Sequence, residues 1–163
     1  MKNLIFTICL TLAVLLGSVG TSWGADFQKG VAAYDSGDFA TALREWRPLA
    51  EKGDADAQFI LGTMYAKGDG VPQDYKTAVK WYTLAAEQGV ASAQTNLGWM
   101  YDKGYGVKQD NVYAHMWGNI AASNGDENGG KLRDEVAKTM TPADISVAQN
   151  FARECVRKEY IGC

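Results

Sequence analysis

The chain has 163 residues, of which 47% are apolar and 21% are charged. These values are ordinary for one globular domain and exclude a wholly disordered, collagen-like or multi-span membrane chain. The 16 basic and 19 acidic side chains give a net charge of −3, so we expect no basic surface that binds nucleic acid.

The first 24 residues have the pattern of a signal peptide. Lys2 supplies a positive start, and residues 4–16 are almost wholly apolar. This apolar run is shorter than the roughly 20 residues that a membrane-spanning helix needs, although an uncleaved anchor is the alternative. Small residues at Ser22 and Gly24 favour cleavage after Gly24. We therefore expect a periplasmic or secreted mature chain without a membrane span.

Residues 25–54 predict a short helical hairpin. Its first helix covers residues 27–36, and Ser36 and Gly37 form a tight connection to the second. Several residues after this connection recur 36 positions later, namely Asp38, Thr41, Ala42, Ala50, Glu51 and Gly53. The same period therefore extends into this part of the chain.

Residues 55–90 and 91–126 are two copies of one 36-residue unit. They are identical at 18 of 36 positions, where chance would give about two. Each copy has apolar residues at helical spacing, then a Gly-x-Gly-Val break, then a second helix that begins after Asp74 or Asp110. Each copy is predicted to form a helical hairpin.

Residues 127–163 predict two plainer helices that cap the stack. Residues 124–130 are rich in Gly and Asn and predict a connector before a helix at 132–140. Thr141 has the pattern of an N-cap for the last helix. The face predicted to cover the open end of the stack consists of Ile145, Ala148, Ala152 and Val156.

Loss of the signal peptide would leave only two cysteines, Cys155 and Cys163. An even pair in an exported chain predicts a disulfide, with free thiols or an intermolecular bridge as alternatives. On one continuous helix their Cα atoms would lie about 12 Å apart, whereas a disulfide needs about 7 Å or less. The last helix is therefore predicted to end before Gly162, with a tail that folds back.

The pattern Leu-Gly-x-Met-Tyr-x-x-Gly-x-Gly-Val-x-x-Asp-x-x-x-Ala-x-x-Trp, followed by Ala-Ala-x-x-Gly, occurs twice and resembles the Sel1-like repeat, a relative of the tetratricopeptide repeat. The resemblance covers residues 27–125. It implies an all-α fold, an α-α superhelix (solenoid) of hairpins whose first helices line a concave groove, and a scaffold role in protein complexes. Residues 25–54 lack the Gly-x-Gly-Val segment and are closer to a tetratricopeptide hairpin.

The resemblance to tetratricopeptide hairpins also implies which side chains face a ligand. The candidate groove residues are Phe59, Thr63, Lys67, Thr95, Trp99, Asp102 and Lys103. Large aromatic side chains that helix packing does not require are common anchors at interfaces. In the alternative interpretation, Trp99 packs against the short hairpin or the cap, and both lysines are solvated.

No catalytic or metal-binding set is visible in the sequence. His115 is the only histidine and is expected to be a partly exposed helix residue. We therefore expect no catalytic residue, cofactor or metal. The predicted function is that of a monomeric, exported module that binds a peptide or protein segment in the groove of its repeats. The alternative is a cell-wall or β-lactam-related binder or hydrolase, by analogy with exported cysteine-rich Sel1-like proteins that carry a cysteine pair in each repeat.

Overall fold

The structure is a computed structural model that describes residues 25–163, so the predicted signal peptide at 1–24 lies outside it. The described residues form eight α-helices and no strand, which confirms the all-α prediction. The helices are α1 Phe27–Asp35, α2 Phe39–Glu51, α3 Ala55–Lys67, α4 Tyr75–Glu87, α5 Ala91–Lys103, α6 Asn111–Ser123, α7 Glu127–Ala137 and α8 Pro142–Arg157.

Three helical hairpins stack in chain order. We call them unit 1 (α1 and α2), unit 2 (α3 and α4) and unit 3 (α5 and α6). The second helix of each unit packs on the first helix of the next, α2 on α3 and α4 on α5. The stack is therefore a short solenoid, in which every unit buries its apolar face against a neighbour.

Side-chain N-caps, six Asp and one Thr, and left-handed glycines set the helix boundaries. A side-chain oxygen accepts hydrogen bonds from the first turn at Asp26, Asp38, Asp54, Asp74, Asp110, Asp126 and Thr141. Gly68 and Gly104 end α3 and α5 with φ values of 84° and 70°, a conformation that favours glycine. The repeated Gly-x-Gly-Val segment is therefore a helix stop.

In units 1 and 2, an aromatic ring of the second helix packs on a glycine of the first helix. The Trp46 ring lies directly on Gly30 in unit 1, and the Tyr82 ring lies on Gly62 in unit 2. A methyl carbon added at Gly62 would lie 2.6 Å from Tyr82 Cδ1, so no larger residue fits. The rings of the second helices therefore determine the spacing inside units 1 and 2.

Unit 3 ends the stack because glycine stands where the other units have that ring. Gly118 occupies the repeat position of Trp46 and Tyr82, and it leaves room for α7. A methyl carbon at Gly118 would lie 2.8 Å from Gly129 O, and one at Gly98 would lie 2.7 Å from Leu132 Cδ2. Helix α7 therefore packs on both helices of unit 3 at very short range.

The predicted connector at 124–130 and helix at 132–140 are corrected by the structure. Helix α7 begins at Glu127, directly after its N-cap Asp126, and ends at Ala137. Gly129 lies inside the helix because its missing side chain allows contact with α6. The glycines that predicted a connector are instead needed for the close packing of α7 on α6.

Helix α8 covers the outer side of α6. Met116 and Ile120 are buried there, at repeat positions where unit 2 has Lys80 and the exposed Leu84. Of the predicted inner face of α8, Ala148 and Ala152 are buried, and Cys155 is buried beside them. Val156 was assigned to this face wrongly: it is 48% exposed, because the adjacent Cys155 takes the inward position.

A buried glutamine links each unit to the next. Gln94 Nε2 donates to Ala86 O at 3.1 Å, and Gln94 Oε1 accepts from Asn124 Nδ2 at 2.9 Å. The same two contacts occur one unit earlier, between Gln58, Ala50 and Gln88. Each glutamine thus satisfies a carbonyl at the end of the preceding unit and fixes the register of the stack.

The C-terminal tail folds back on the stack. Helix α8 ends at Arg157, and a disulfide joins Cys155 to Cys163 with a Cα–Cα distance of 5.4 Å. Tyr160 Oη donates to Asn124 Oδ1 at 3.1 Å, and Gly162 N donates to Glu87 Oε1 at 3.1 Å. The disulfide-closed tail therefore ties α8 to the ends of α6 and α4.

Reduction of the Cys155–Cys163 bond should lower the free energy of unfolding by up to about 3 kcal/mol, since the closed loop is short. Thermal unfolding with and without a dithiol reductant measures this change. A Cys163→Ser variant should match the reduced protein and should not respond to reductant. An unchanged melting temperature in the reduced wild type would contradict the role of the bond.

Trp117→Ala should cost about 3 to 5 kcal/mol of unfolding free energy, because Trp117 is 2% exposed and lies in the central core. Trp99→Ala is the matched control; its side chain is 38% exposed and should cost about 1 kcal/mol. Denaturant unfolding of both variants compares them. Equal losses would show that Trp99 belongs to the core.

Candidate functional site

A cleft opens on the face formed by the first helices, between α1 and α3. We call this surface the first-helix face. The cleft has a volume of about 330 Å³. Its walls are mostly apolar and consist of Val31, Tyr34, Asp35, Trp46, Phe59, Ile60, Thr63 and Lys67. Three of the seven predicted groove residues, Phe59, Thr63 and Lys67, thus lie together in one cavity.

Aromatic rings give the cleft its shape. The Tyr34 and Trp46 ring centroids are 5.7 Å apart, and Trp46 is held in place because its Nε1 donates to Phe27 O at 3.1 Å. On the α3 side, the Phe59 ring lies 6.1 Å from the ring of Tyr82. Both walls are therefore rigid apolar surfaces fixed by the core behind them.

The hydroxyl groups of the cleft wall are engaged within the protein. Tyr34 Oη donates to Asp69 Oδ2 at 2.7 Å, and Thr63 Oγ1 donates to Phe59 O at 3.1 Å. The hydrogen bond to the Asp69 carboxylate raises the pKa of Tyr34 to about 12. Tyr34 is therefore a neutral donor, committed to Asp69, at any physiological pH.

The groove residues predicted on α5 form a separate surface group. Lys103 Nζ lies 2.8 Å from Asp102 Oδ2 and 5.3 Å from the centroid of the Trp99 ring. The Asp102 carboxylate raises the pKa of Lys103. The Lys103 ammonium group therefore already forms an ion pair with Asp102 and a cation–π contact with Trp99. Lys67, at the same repeat position, makes no ion pair within residues 25–163.

The prediction that Thr95 faces the groove is wrong. Thr95 is 4% exposed, and its Oγ1 has no hydrogen-bond partner among the described residues. Helix α7 packs on α5 at this end of the stack, with Leu132 against Gly98, one turn from Thr95. At this end of the stack α7 fills the space that a ligand would need.

The α1 side of the cleft was not among the predicted groove residues. Val31 and Asp35 occupy the repeat positions of Thr63 and Lys67, but unit 1 is four residues shorter and lies 32 residues upstream. A search for the 36-residue period therefore skips them. An alignment that allowed a four-residue gap at the Gly-x-Gly-Val segment would have placed them on the same face.

The prediction of a partly exposed His115 is also wrong. His115 is 3% exposed, and its Nδ1 has no hydrogen-bond partner among the described residues. Burial lowers its pKa, and the nearby Arg133 guanidinium on α7 lowers it further, against a small opposite effect of Asp134. His115 is therefore a neutral packing residue at the contact between α6 and α7.

Two further clefts lie beside α8. One, of about 210 Å³, is lined by Tyr113, Phe151 and the disulfide; the other, of about 280 Å³, lies between α6 and α8. Within residues 25–163 there is no group of three His, Cys, Asp or Glu side chains placed to hold a metal ion. No helix in that range is long and apolar enough to cross a bilayer.

Comparison with known proteins identifies the repeats. The sequence model of the Sel1 repeat matches residues 55–90 and 91–126, which are units 2 and 3 together with their connecting segments. Residues 55–126 are therefore two Sel1 repeats. The three hairpins are thus a Sel1-like solenoid, in which unit 1 is a shorter hairpin outside the matched residues.

Two solved structures with this repeat fold resemble the chain. A protective antigen of uropathogenic Escherichia coli strains with an SLR fold is 29% identical, with a TM-score of 0.76 over 80% of this chain and 30% of that chain. A Sel1 repeat protein from Oxalobacter formigenes is 31% identical, with a TM-score of 0.63 over 66% of this chain and 44% of that chain. The chain spans less than half the length of either.

One curated relative is similar over a shorter range. An exopolysaccharide production negative regulator of Rhizobium leguminosarum bv. viciae is 44% identical over 48 residues, which is 29% of this chain and 18% of that protein. The similarity therefore covers little more than one repeat unit.

His115 should make the Sel1-like stack less stable in acid. In the unfolded chain its pKa is about 6.5, whereas in the fold it is lower, so the unfolded state binds the proton first. Stability should be unaffected above that value and fall as the pH drops through it, down to the lower pKa of the folded state. Denaturant unfolding at a series of pH values from neutral to mildly acidic measures this loss.

The control is His115→Val, which copies Val79 from the same position of unit 2. Subtracting its pH profile removes the contribution of the carboxylates. A wild-type profile parallel to that of His115→Val would show that burial of His115 carries no such penalty.

Proposed function

We propose that this protein is an exported interaction module that holds a peptide segment of a partner protein in the cleft between α1 and α3. One observation carries the proposal: the roughly 330 Å³ cleft on the first-helix face, walled by Tyr34, Trp46 and Phe59. Rigid aromatic pockets are where interfaces concentrate their binding energy. The Sel1 repeat itself supports an interaction scaffold.

The predicted groove residues on α5 have a smaller role in this proposal than the sequence predicted. Trp99, Asp102 and Lys103 lie on the same face, but Lys103 is engaged by its two neighbours. Thr95 is buried. We therefore assign anchoring to the α1–α3 cleft and leave to Trp99 a contact with the segment as it leaves the cleft.

Export is supported by the Cys155–Cys163 disulfide, since such bonds persist in oxidising compartments. The signal-peptide pattern of residues 1–24 points the same way. No observation favours the cell-wall or β-lactam-related alternative. The repeats carry no cysteine pair, and the curated relative is named as a regulator.

Thr63→Trp tests the proposal, because it places in unit 2 the residue that unit 3 has at the same position, Trp99. The indole should fill the cleft, and the loss of Thr63 Oγ1 as an acceptor for Tyr82 Oη should cost about 1 kcal/mol of unfolding free energy. Peptides selected from a random displayed library on the wild-type protein should bind Thr63→Trp at least about tenfold more weakly, a loss of about 1.4 kcal/mol. Binding is measured by fluorescence anisotropy.

Leu84→Trp is the matched control, since Leu84 is exposed on α4 and does not line the cleft. This variant should bind the selected peptides as the wild type does and unfold near the wild-type temperature. Thermal unfolding of Thr63→Trp should show that it remains folded at the temperature of the binding assay. Selected peptides that bind Thr63→Trp as tightly as the wild type, or a library from which nothing is enriched, would contradict the proposal.

A further inference from the structure

The polar atoms of the cleft wall restrict what can enter it. Each of the three neutral polar side chains in the wall already donates its proton inside the protein: Tyr34 to Asp69, Trp46 to Phe27 O and Thr63 to Phe59 O. Thr63 Oγ1 also accepts from Tyr82 Oη at 3.2 Å. A ligand inside the cleft therefore finds no free donor among these groups.

The rest of the wall is hydrocarbon. Val31, Phe59 and Ile60 contribute only apolar atoms. A hydroxyl or amide buried without a partner costs about 1 to 3 kcal/mol, so this cleft selects against side chains that carry one. A hydroxyl-rich sugar is disfavoured for the same reason. The volume is at the lower end of ligand pockets, about 300 to 1,000 Å³, and fits one large side chain.

Two charged side chains line one end of the cleft, in addition to the Asp69 carboxylate that accepts from Tyr34. Asp35 is the last residue of α1, and Lys67 is the last residue of α3, so they occupy the same level of neighbouring helices. Both are exposed, and neither forms an ion pair within residues 25–163. A segment that crosses from α1 to α3 passes a negative charge and then a positive one.

These constraints define the occupant of the proposed peptide site, and the inference rests on that proposed function. We propose that the cleft binds an extended segment of a partner protein through a hydrocarbon side chain of the leucine or phenylalanine type, flanked by a basic residue that reaches Asp35 and an acidic residue that reaches Lys67. The apolar side chain supplies the affinity. The flanking charges select the partner, because like charges in contact are unfavourable.

Synthetic peptides with one central anchor and two charged flanks test this directly. Fluorescence anisotropy with the purified protein compares Phe, Leu, Tyr and Ser at the anchor. Phe and Leu should bind at least about tenfold tighter than Ser, and Phe about tenfold tighter than Tyr, whose hydroxyl would be left without a partner. Equal binding of the Phe and Tyr peptides would overturn the hydrocarbon assignment.

The flanks are tested by charge reversal. With Phe at the anchor, the wild type should prefer one Lys and one Glu over two Glu or two Lys, by about threefold or more. Lys67→Glu should change this preference to two Lys, and Asp35→Lys should change it to two Glu. Lys80→Glu, on an exposed position of α4 outside the cleft, should keep the wild-type preference.

The failure of this inference can be told from failure of the proposed function. If the flanks make no difference in any variant while Thr63→Trp still abolishes binding, the charge assignment is wrong and the peptide site stands. If none of these peptides binds at about 1 mM but library peptides remain sensitive to Thr63→Trp, the ligand chemistry is wrong. If Thr63→Trp affects neither set, both proposals fall.

Discussion

The contact between a glycine in the first helix and a ring in the second determines the architecture of this protein. Gly30 and Gly62 lie directly under Trp46 and Tyr82, so the two helices of a unit approach as closely as a flat ring allows. Because interiors are close-packed, any side chain at these glycines would have to displace the ring.

Variation at this one position has opposite consequences at the two ends of the stack. In unit 1 the ring of Trp46 remains and forms the floor of the cleft beside α3. In unit 3 the ring is replaced by Gly118, and α7 packs so closely that Thr95 is buried. The same repeat position therefore leaves a cleft open at one end of the stack and lets α7 pack closely at the other.

The hairpins were predictable because the two copies at 55–126 repeat the apolar helical spacing, the glycine that ends each first helix and the aspartate that caps each second helix. The packing at the two ends of the stack could not be predicted from the sequence. The glycines of α7 are typical of a connector when only the sequence is considered. Their role in packing follows from the contact between Gly129 and Gly118 of α6. The exposure of His115 depends on that same contact. The α1 wall of the cleft was hidden by a four-residue difference in unit length, although its residue types follow the repeat.

The proposed peptide site between α1 and α3 is tested most directly by mapping where a peptide binds. Amide chemical shifts of isotopically labelled protein are followed during titration with a phenylalanine-anchored peptide that carries one basic and one acidic flank. The account predicts the largest changes at Val31, Tyr34, Ile60 and Thr63 and at the indole N–H of Trp46. Largest changes on α8 or around Trp99, or no change anywhere, would contradict it.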